Sequence, residues 1–490
     1  MVNSLKVTVV STILSATLGL PLAYLMRSVK IKGSSFLNIL IVISYLSPPF
    51  IGAYAWIQML GRQGVITQFL NDTFGLHYGG VYGFAGIVLV FTLQSFPLVY
   101  IYVSGALKNL DNSLNEAAES LGCSRMGRIW KIIVPLVMPT LLASSMLVFM
   151  RVFADFGTPM LIGEGYKTLP VLIYNQFMGE VSGDDGFAAA ICCIVIGLTI
   201  VMFFVQRFLA GRNTYAMTAL KPMAAESLGG LRNILAHLAV YMVVGLAILP
   251  QFVVVYTSFL ATNGGQVFTG GFALQSYDAT LFAKDNDVIW HTYFLGLCAI
   301  AAVLVLGVLI AYLSVRKRNT LNSILDVITM FPFIIPGSVL GIAFVFAFNK
   351  SPIILTGTAL IMIISFAVRR MPYTVRSSTA ILGNISPSIE EAAISLGASD
   401  MTTFRKITVP MMMPGVLSGA IMSWVTIISE LSSSIILYTN STQTLTVSIY
   451  TEVIRGNYGN ASAYATILTV TSILSLLLFY KVTGRRDVSV

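Results

Sequence analysis

Long apolar runs constrain this chain more than any other feature. A helix needs about 20 predominantly apolar residues to cross a bilayer. Runs near that length recur over 4–26, 36–60, 81–107, 133–153 and 187–206, then over 235–259, 292–314, 321–347, 353–370, 410–434 and 460–480. Together they take up about half of the chain. Only 10% of the 490 residues are charged, against about 25% in soluble domains, so a water-facing surface cannot be covered. The spacing predicts an all-α polytopic membrane protein whose principal surroundings are the lipid bilayer.

The net charge of +9 is informative through its location. Basic residues gather in alternate loops: Arg27 to Lys32, Lys108 to Lys131, Arg207 to Arg232, Arg316 to Arg318, Arg369 to Arg376, Arg405 and Lys406, and Lys481 to Arg486. The opposite loops hold only Arg62, Lys167, Lys284, Lys350 and Arg455. The positive-inside rule makes the first set cytoplasmic, with the N-terminus outside and the C-terminus inside. So placed, the charge argues for no nucleic-acid partner. The first span ends at Arg27 rather than at a small-residue cleavage site, which disfavours a secretory signal.

Cys123, Cys192, Cys193 and Cys298, with His77, His237 and His291, show no metal-ligand spacing. No GxxxxGK[ST] phosphate loop is present, since GEGYKT near Gly163 lacks the second glycine. The chain is expected to hold no metal or cofactor, to carry no ATPase of its own, and not to be an enzyme.

The two halves match. AYL at Ala23–Leu25 recurs at Ala311–Leu313, and Pro48 then aligns with Pro336. Pro135 and Pro139 align with Pro410 and Pro414, Asp155 with Glu430, and Thr168–Tyr174 with Thr444–Tyr450 one residue out of step. The expected organisation is a first five-span lobe over 1–206, a cytoplasmic linker over 207–234, and a six-span lobe over 235–482 with its repeat core at 290–482. The first copy lacks the leading span that 235–259 gives the second. Of a genuinely short lobe and a start upstream of Met1, the second is preferred.

A polar phrase is also repeated: EAAESLG at Glu116–Gly122 and EAAISLG at Glu391–Gly397. Asp111 and Ser386 are placed to cap a helix, Pro387 suits its first position, and Gly122 and Gly397 suit its stop. Between them lies a predicted helix of about ten residues. Leu114, Ala117, Ala118 and Leu121 fall at i, i+3, i+4 and i+7, as do Ile389, Ala392, Ala393 and Leu396, so each helix has one narrow apolar face. Glu116 and Glu391 stand at its edge. Helices this short are marginal alone, and without faces lined by Lys or Arg they do not read as membrane-surface helices. Docking against a protein is the expectation.

EAAESLGCSRMGRIWKIIVP and EAAISLGASDMTTFRKITVP share one pattern: EAA, three residues, Gly, nine residues, Ile, one residue, a hydrophobic residue, Pro. This resembles the cytoplasmic EAA loop of binding-protein-dependent ABC importer permeases. The resemblance implies the type I ABC permease fold, a bacterial inner-membrane location, two copies of a separate ATPase on the cytoplasmic face and an extracytoplasmic substrate-binding protein. It also implies that Glu116, Ala117, Ala118 and Gly122 meet one ATPase, and Glu391, Ala392, Ala393 and Gly397 the other, as coupling helices. Two lobes fused in one chain resemble ferric-iron permeases. Thiamine and aminoalkylphosphonate permeases share that fusion. An ion-coupled secondary transporter also carries repeats but would leave the EAA loops without a task.

Ionisable groups in membrane spans are costly and often functional. Asp155 and Glu430 hold equivalent places at the ends of their spans, and paired carboxylates would suit a hard cation such as ferric iron. Alternatively each faces water, or Asp155 pairs with Arg151 one helical turn earlier; Glu430 has no such neighbour in sequence. Pro48, Pro49, Pro332 and Pro336 should bend spans two and eight, either lining a passage or merely kinking. Trp56 and Tyr166 read as interface anchors.

Overall fold

The computed structural model describes residues 1–75, 79–179, 185–211, 225–263, 267–282, 287–317 and 319–483. His77, the centre of the expected linker (212–224) and Arg212, Lys221, Lys284, Arg318, Arg485 and Arg486 lie outside the described residues. Among the described residues, eight helices are long and apolar enough to cross a membrane: Val2–Ser28, Gly83–Lys108, Arg125–Ala154, Gly186–Val205, Gly230–Ser258, Val288–Arg316, Asp400–Ile428 and Tyr458–Leu478. Two further spans are broken pairs, Ser34–Leu46 with Pro49–Phe74, bent by 100°, and Thr320–Ile334 with Gly337–Phe348, bent by 112°.

The remaining expected span, 353–370, is the helix Ala359–Asn384. At 26 residues it is about 39 Å long. Hydropathy alone truncates it, because Arg369, Arg370 and Arg376 interrupt its first eighteen residues. A small antiparallel hairpin, Leu260–Asn263 with Val267–Phe272, is the one sheet among the described residues.

The chain divides into two compact units at Val254/Val255. Most of the helix Gly230–Ser258 therefore belongs with the first unit. Ala236, Val240, Val244 and Ala247, spaced along one face, are buried in that unit's core with Val99, Val103 and Val148. Periodicity identifies the apolar face of 235–259 but not the neighbour that covers it, so the expected boundary at 235 and the observed division differ.

Within each unit the helices close on small residues, because lipid supplies no hydrophobic drive between helices and close backbone packing must do the work. In the first unit the helices Val2–Ser28 and Gly83–Lys108 meet at Gly19, where a Cβ would lie 2.7 Å from Val99 Cβ. The counterpart in the second unit is Gly307, where a Cβ would lie 2.9 Å from Thr374 Cγ2. Gly415 and Gly419, four residues apart, seat the helix Val409–Ile428 on Ile381 and Thr374 of Ala359–Asn384. Thr140 and Ser144 occupy the matching positions in the first half.

The repeat extends to hydrogen bonds. The amide of Leu169 donates to Ser4 Oγ at 2.7 Å, and that of Leu445 to Thr292 Oγ1, also at 2.7 Å. These bonds satisfy equivalent helix starts from equivalent first spans. Trp56 is no interface anchor: it is 4% exposed, in the core of the first unit. The segment Pro49–Leu60 is buried on nearly every side, from Phe50 to Trp56, because the break tucks this half-span inside its lobe. Tyr166 packs on Phe84 with ring centroids 5.5 Å apart.

Candidate functional site

The repeated phrase folds as two short helices, Ser113–Ser120 and Pro387–Ser395. Ser386 caps the second, accepting from the Ser388 amide at 3.4 Å, with Pro387 at the first position. The first differs from expectation. Asn112 is its boundary residue, while Asp111 Oδ1 accepts from the Ser113 amide at 2.9 Å, a tighter turn made one residue earlier.

Both helices stop alike. Gly122 and Gly397 have φ of +78° and +91°, a conformation that disfavours side chains bearing a Cβ. That turn lets the Cys123 amide reach Ala118 O and the Ala398 amide reach Ala393 O, at 2.9 and 3.1 Å, the 6→1 bond of a Schellman stop. Ser124 and Ser399 then cap the next helix, accepting from Gly127 N at 3.2 Å and Thr402 N at 3.3 Å. One π turn follows in each copy, Ile129–Ile133 and Phe404–Thr408. Each precedes a proline, Pro135 or Pro410, whose ring and missing N–H conflict with a regular turn before it; the widened turn relieves that conflict.

The consequence is a pair of projecting apolar tips. Leu121 is 87% exposed and Leu396 90%. Glu116, Ala117, Glu391 and Ala392 are exposed beside them, Ala118 is half-buried and Ala393 is buried. Glu116 Oε1 accepts from Asn112 Nδ2 at 3.0 Å. The carboxylate anchored to the body of the second lobe is Glu390, one residue before the motif, which the pattern alone did not single out.

A second polar centre lies at the broken spans. Pro48 and Pro336 are the boundary residues of the second half-helices, both extended with ψ of 135° and 140°. They stand at bends sharp enough to break each span into two half-helices. A side chain from the neighbouring long helix reaches each break. In the first lobe Gln94 Nε2 donates to Pro49 O at 3.0 Å, and a Cβ on Gly52 would overlap the Gln94 amide. In the second lobe the residue matching Gln94 is Arg369, and a Cβ on Gly337 would overlap its guanidinium.

Glu430 completes this second centre. It is 3% exposed. Arg369 Nη1 donates to its Oε1 at 2.5 Å, Arg370 Nη2 donates to its Oε2, and the Ser433 amide donates to Oε1 at 3.2 Å. The missing arginine neighbour is thus supplied twice, from 61 and 60 residues away. Linear proximity could not show it, because the pairing joins two different helices. The signal was present as two arginines inside an apolar run, read there as a span end. The cluster carries one net positive charge, two guanidiniums against one carboxylate.

Asp155, at the matching place, ends the helix Val134–Ala154 and accepts from the Thr158 amide at 2.9 Å. Arg151 lies 4.8 Å over the Tyr45 ring. Among the described residues no three His, Cys, Asp or Glu side chains gather to hold a metal ion.

The family model described as "Binding-protein-dependent transport system inner membrane component" matches the chain twice, over residues 15–215 and 303–486. The chain is similar to the ferric transport system permease protein FbpB of Actinobacillus pleuropneumoniae, 31% identical over 98% of this chain and 71% of that protein. It is similar at 31% identity to a putative ferric transport system permease protein FbpB of Haemophilus influenzae, covering 90% and 70% of the two. Its likeness to the molybdenum transport system permease protein ModB of Escherichia coli, at 28% identity, takes in 42% of this chain and 90% of that protein.

Proposed function

Because this chain belongs to the binding-protein-dependent inner-membrane transport components, we propose that it passes ferric iron, received from an extracytoplasmic binding protein, into the bacterial cytoplasm, driven by two ATPase subunits docked on its two short helices. It is the permease subunit of an ABC importer, a transport component rather than an enzyme. One observation carries the docking: two matched helices, stopped by the same glycine geometry, project the most exposed leucines of their loops, Leu121 and Leu396, into solvent. A partner that covers these two leucines would remove apolar surface from water, which favours docking. The excess of Lys and Arg in the loops that carry them supports a cytoplasmic side for both helices and for the C-terminus.

Iron as the cargo is supported by relatives, matched over 98% and 90% of this chain, whose names specify ferric transport. The paired-carboxylate argument for iron is weaker than the sequence suggested, since both Glu430 oxygens are engaged by arginines.

The double variant Leu121→Asp with Leu396→Asp tests the docking. Both side chains are solvent-facing, so the permease should fold, yet it should no longer co-purify with the ATPase. Undiminished co-purification would refute the proposed surface. Uptake of radiolabelled ferric iron into cells lacking the gene, with and without its restoration, tests the cargo. Identical uptake in both strains would remove iron and leave the importer architecture standing.

A further inference from the structure

The connection between the helices Gly230–Ser258 and Val288–Arg316 is built inside out. It holds the hairpin Leu260–Asn263 with Val267–Phe272 and the short helix Gln275–Leu281. Its inward side is polar. The Ser258 and Tyr277 hydroxyls share a hydrogen bond at 2.8 Å, and the Thr257 and Ser462 hydroxyls share one at 3.0 Å. Ser276 and Thr280, one turn apart on the short helix, are both buried. Gly459, at the start of the helix Tyr458–Thr483, admits this side: a Cβ there would lie 2.5 Å from Ser276 Oγ and 2.9 Å from Thr262 Cγ2.

The outward side is apolar. Phe272 and Phe282 are 76% and 78% exposed, and Leu274 and Leu281 are exposed with them. A segment standing in water buries its large apolar residues and turns its serines and threonines outward; here that order is reversed. The apolar side also runs on into exposed faces of the spans. The Phe272 ring meets that of Tyr256, on the last turn of Gly230–Ser258, edge to face at 6.1 Å, and Tyr256 is itself exposed. At the other end Trp290 stacks on Phe294 at 5.4 Å. These two begin an exposed apolar row, continued by Leu297 and Val305, along the span Val288–Arg316. A row of that kind on a membrane span faces lipid. Phe259 and Asp287 adjoin the ends of two spans, so both ends of the connection are held at the membrane surface.

We infer that the hairpin and the short helix lie on the bilayer at the membrane–water interface, with Phe272, Leu274, Leu281 and Phe282 inserted among the lipid chains next to the headgroups. Aromatic side chains favour that level. The backbone goes no deeper, because a two-stranded sheet has open edges that hydrocarbon does not tolerate. Charge does not supply the attraction: between Val255 and Trp290, Lys284 is the one basic residue, against Asp278, Asp285 and Asp287. The contact is therefore with lipid chains whatever the headgroup charge. It depends neither on the cargo, nor on the docked ATPases, nor on which side of the membrane the connection occupies.

Spin labels on the full chain, freed of its four cysteines and reconstituted in phosphatidylcholine vesicles, test this. Phe272→Cys and Phe282→Cys are labelled separately, so that poor folding of one leaves the other. Collisions with oxygen, which enters lipid, and with a nickel chelate, which stays in water, read the depth. Both labels should lie about 5–10 Å into the headgroup and acyl boundary, and vesicles containing phosphatidylglycerol should give the same depth. Arg455→Cys supplies the water-facing reference, since the Arg455 side chain is 70% exposed and stands three residues before the helix Tyr458–Thr483. A label at 272 or 282 as open to nickel as that at 455 would overturn the inference. Immersion confined to vesicles containing phosphatidylglycerol would overturn the apolar nature of the contact. In cells carrying the complete transporter, a benzophenone amino acid at position 282 should form photo-adducts with phospholipid. An adduct with a second protein would mark a protein-docking face instead and overturn the lipid assignment.

Discussion

Replacing Glu430 by Gln keeps the side chain's shape and one acceptor oxygen but removes its charge. The carboxylate is 2% exposed, and the two guanidiniums it neutralises are 9% and 17% exposed. No cavity is made, so the cost is electrostatic: two buried cations lose their counter-ion. Breaking a buried ion pair from one side costs about 3–5 kcal/mol. For a lobe of this size each kcal/mol lowers the unfolding midpoint by roughly 2–4 °C, so the expected drop is about 6–20 °C.

Thermal unfolding in detergent, followed by tryptophan fluorescence, would measure it; Trp424 sits in the adjoining helix and donates to Ser475 Oγ at 3.0 Å. The decisive comparison adds Arg369→Gln and Arg370→Ser, the residues that the first lobe carries at Gln94 and Ser95. With the cations gone as well, most of the lost stability should return, because removing a whole buried cluster costs far less than stranding part of it. A midpoint shift below about 2 °C for the single variant, or a triple variant no more stable than the single, would refute the assignment of this cluster as a charge-compensated unit.

Gly307→Leu should force apart the helices that meet at Thr374 and destabilise the second lobe by about 1–3 kcal/mol, read as a lower unfolding midpoint. Gly105→Ala, in a helix position with nothing within 4 Å, should be neutral or slightly stabilising in the same assay. A Cβ at Gly397 meets no neighbouring atom within 4 Å, but Gly397→Val imposes it at φ +91°, so a cost of about 1–2 kcal/mol is conformational. Gly397→Asn should recover part of that loss, and limited proteolysis across 386–400 would separate the two.

What could be read without coordinates was whatever is settled within a few residues of chain. A run of apolar residues long enough to span a bilayer says so by itself, and the glycines ending the short helices announce their left-handed turns because the adjacent pattern demands a stop. The equivalence of Asp155 with Glu430, and of Pro48 with Pro336, followed from counting along the repeat. What could not be read was contact between distant elements. Glu430 looked solitary because its arginines stand on another helix, and Trp56 looked interfacial because nothing nearby in sequence reveals that its half-span is enclosed. The Gly230–Ser258 helix advertised an apolar face without advertising which lobe covers it. Glu390 was overshadowed by the motif beginning one residue later.

The exchange of Gln94 for Arg369 between otherwise matching lobes has an evolutionary implication. A channel assembled from two copies of one gene product must accept every substitution twice, so a buried arginine would appear on both sides of its symmetry axis or on neither. Joining the halves into a single polypeptide lifts that obligation. Each half can then acquire charges its twin lacks: an acid stands at the matching place in both lobes, as Asp155 and Glu430, but Arg369 and Arg370 correspond to Gln94 and Ser95 in the other copy.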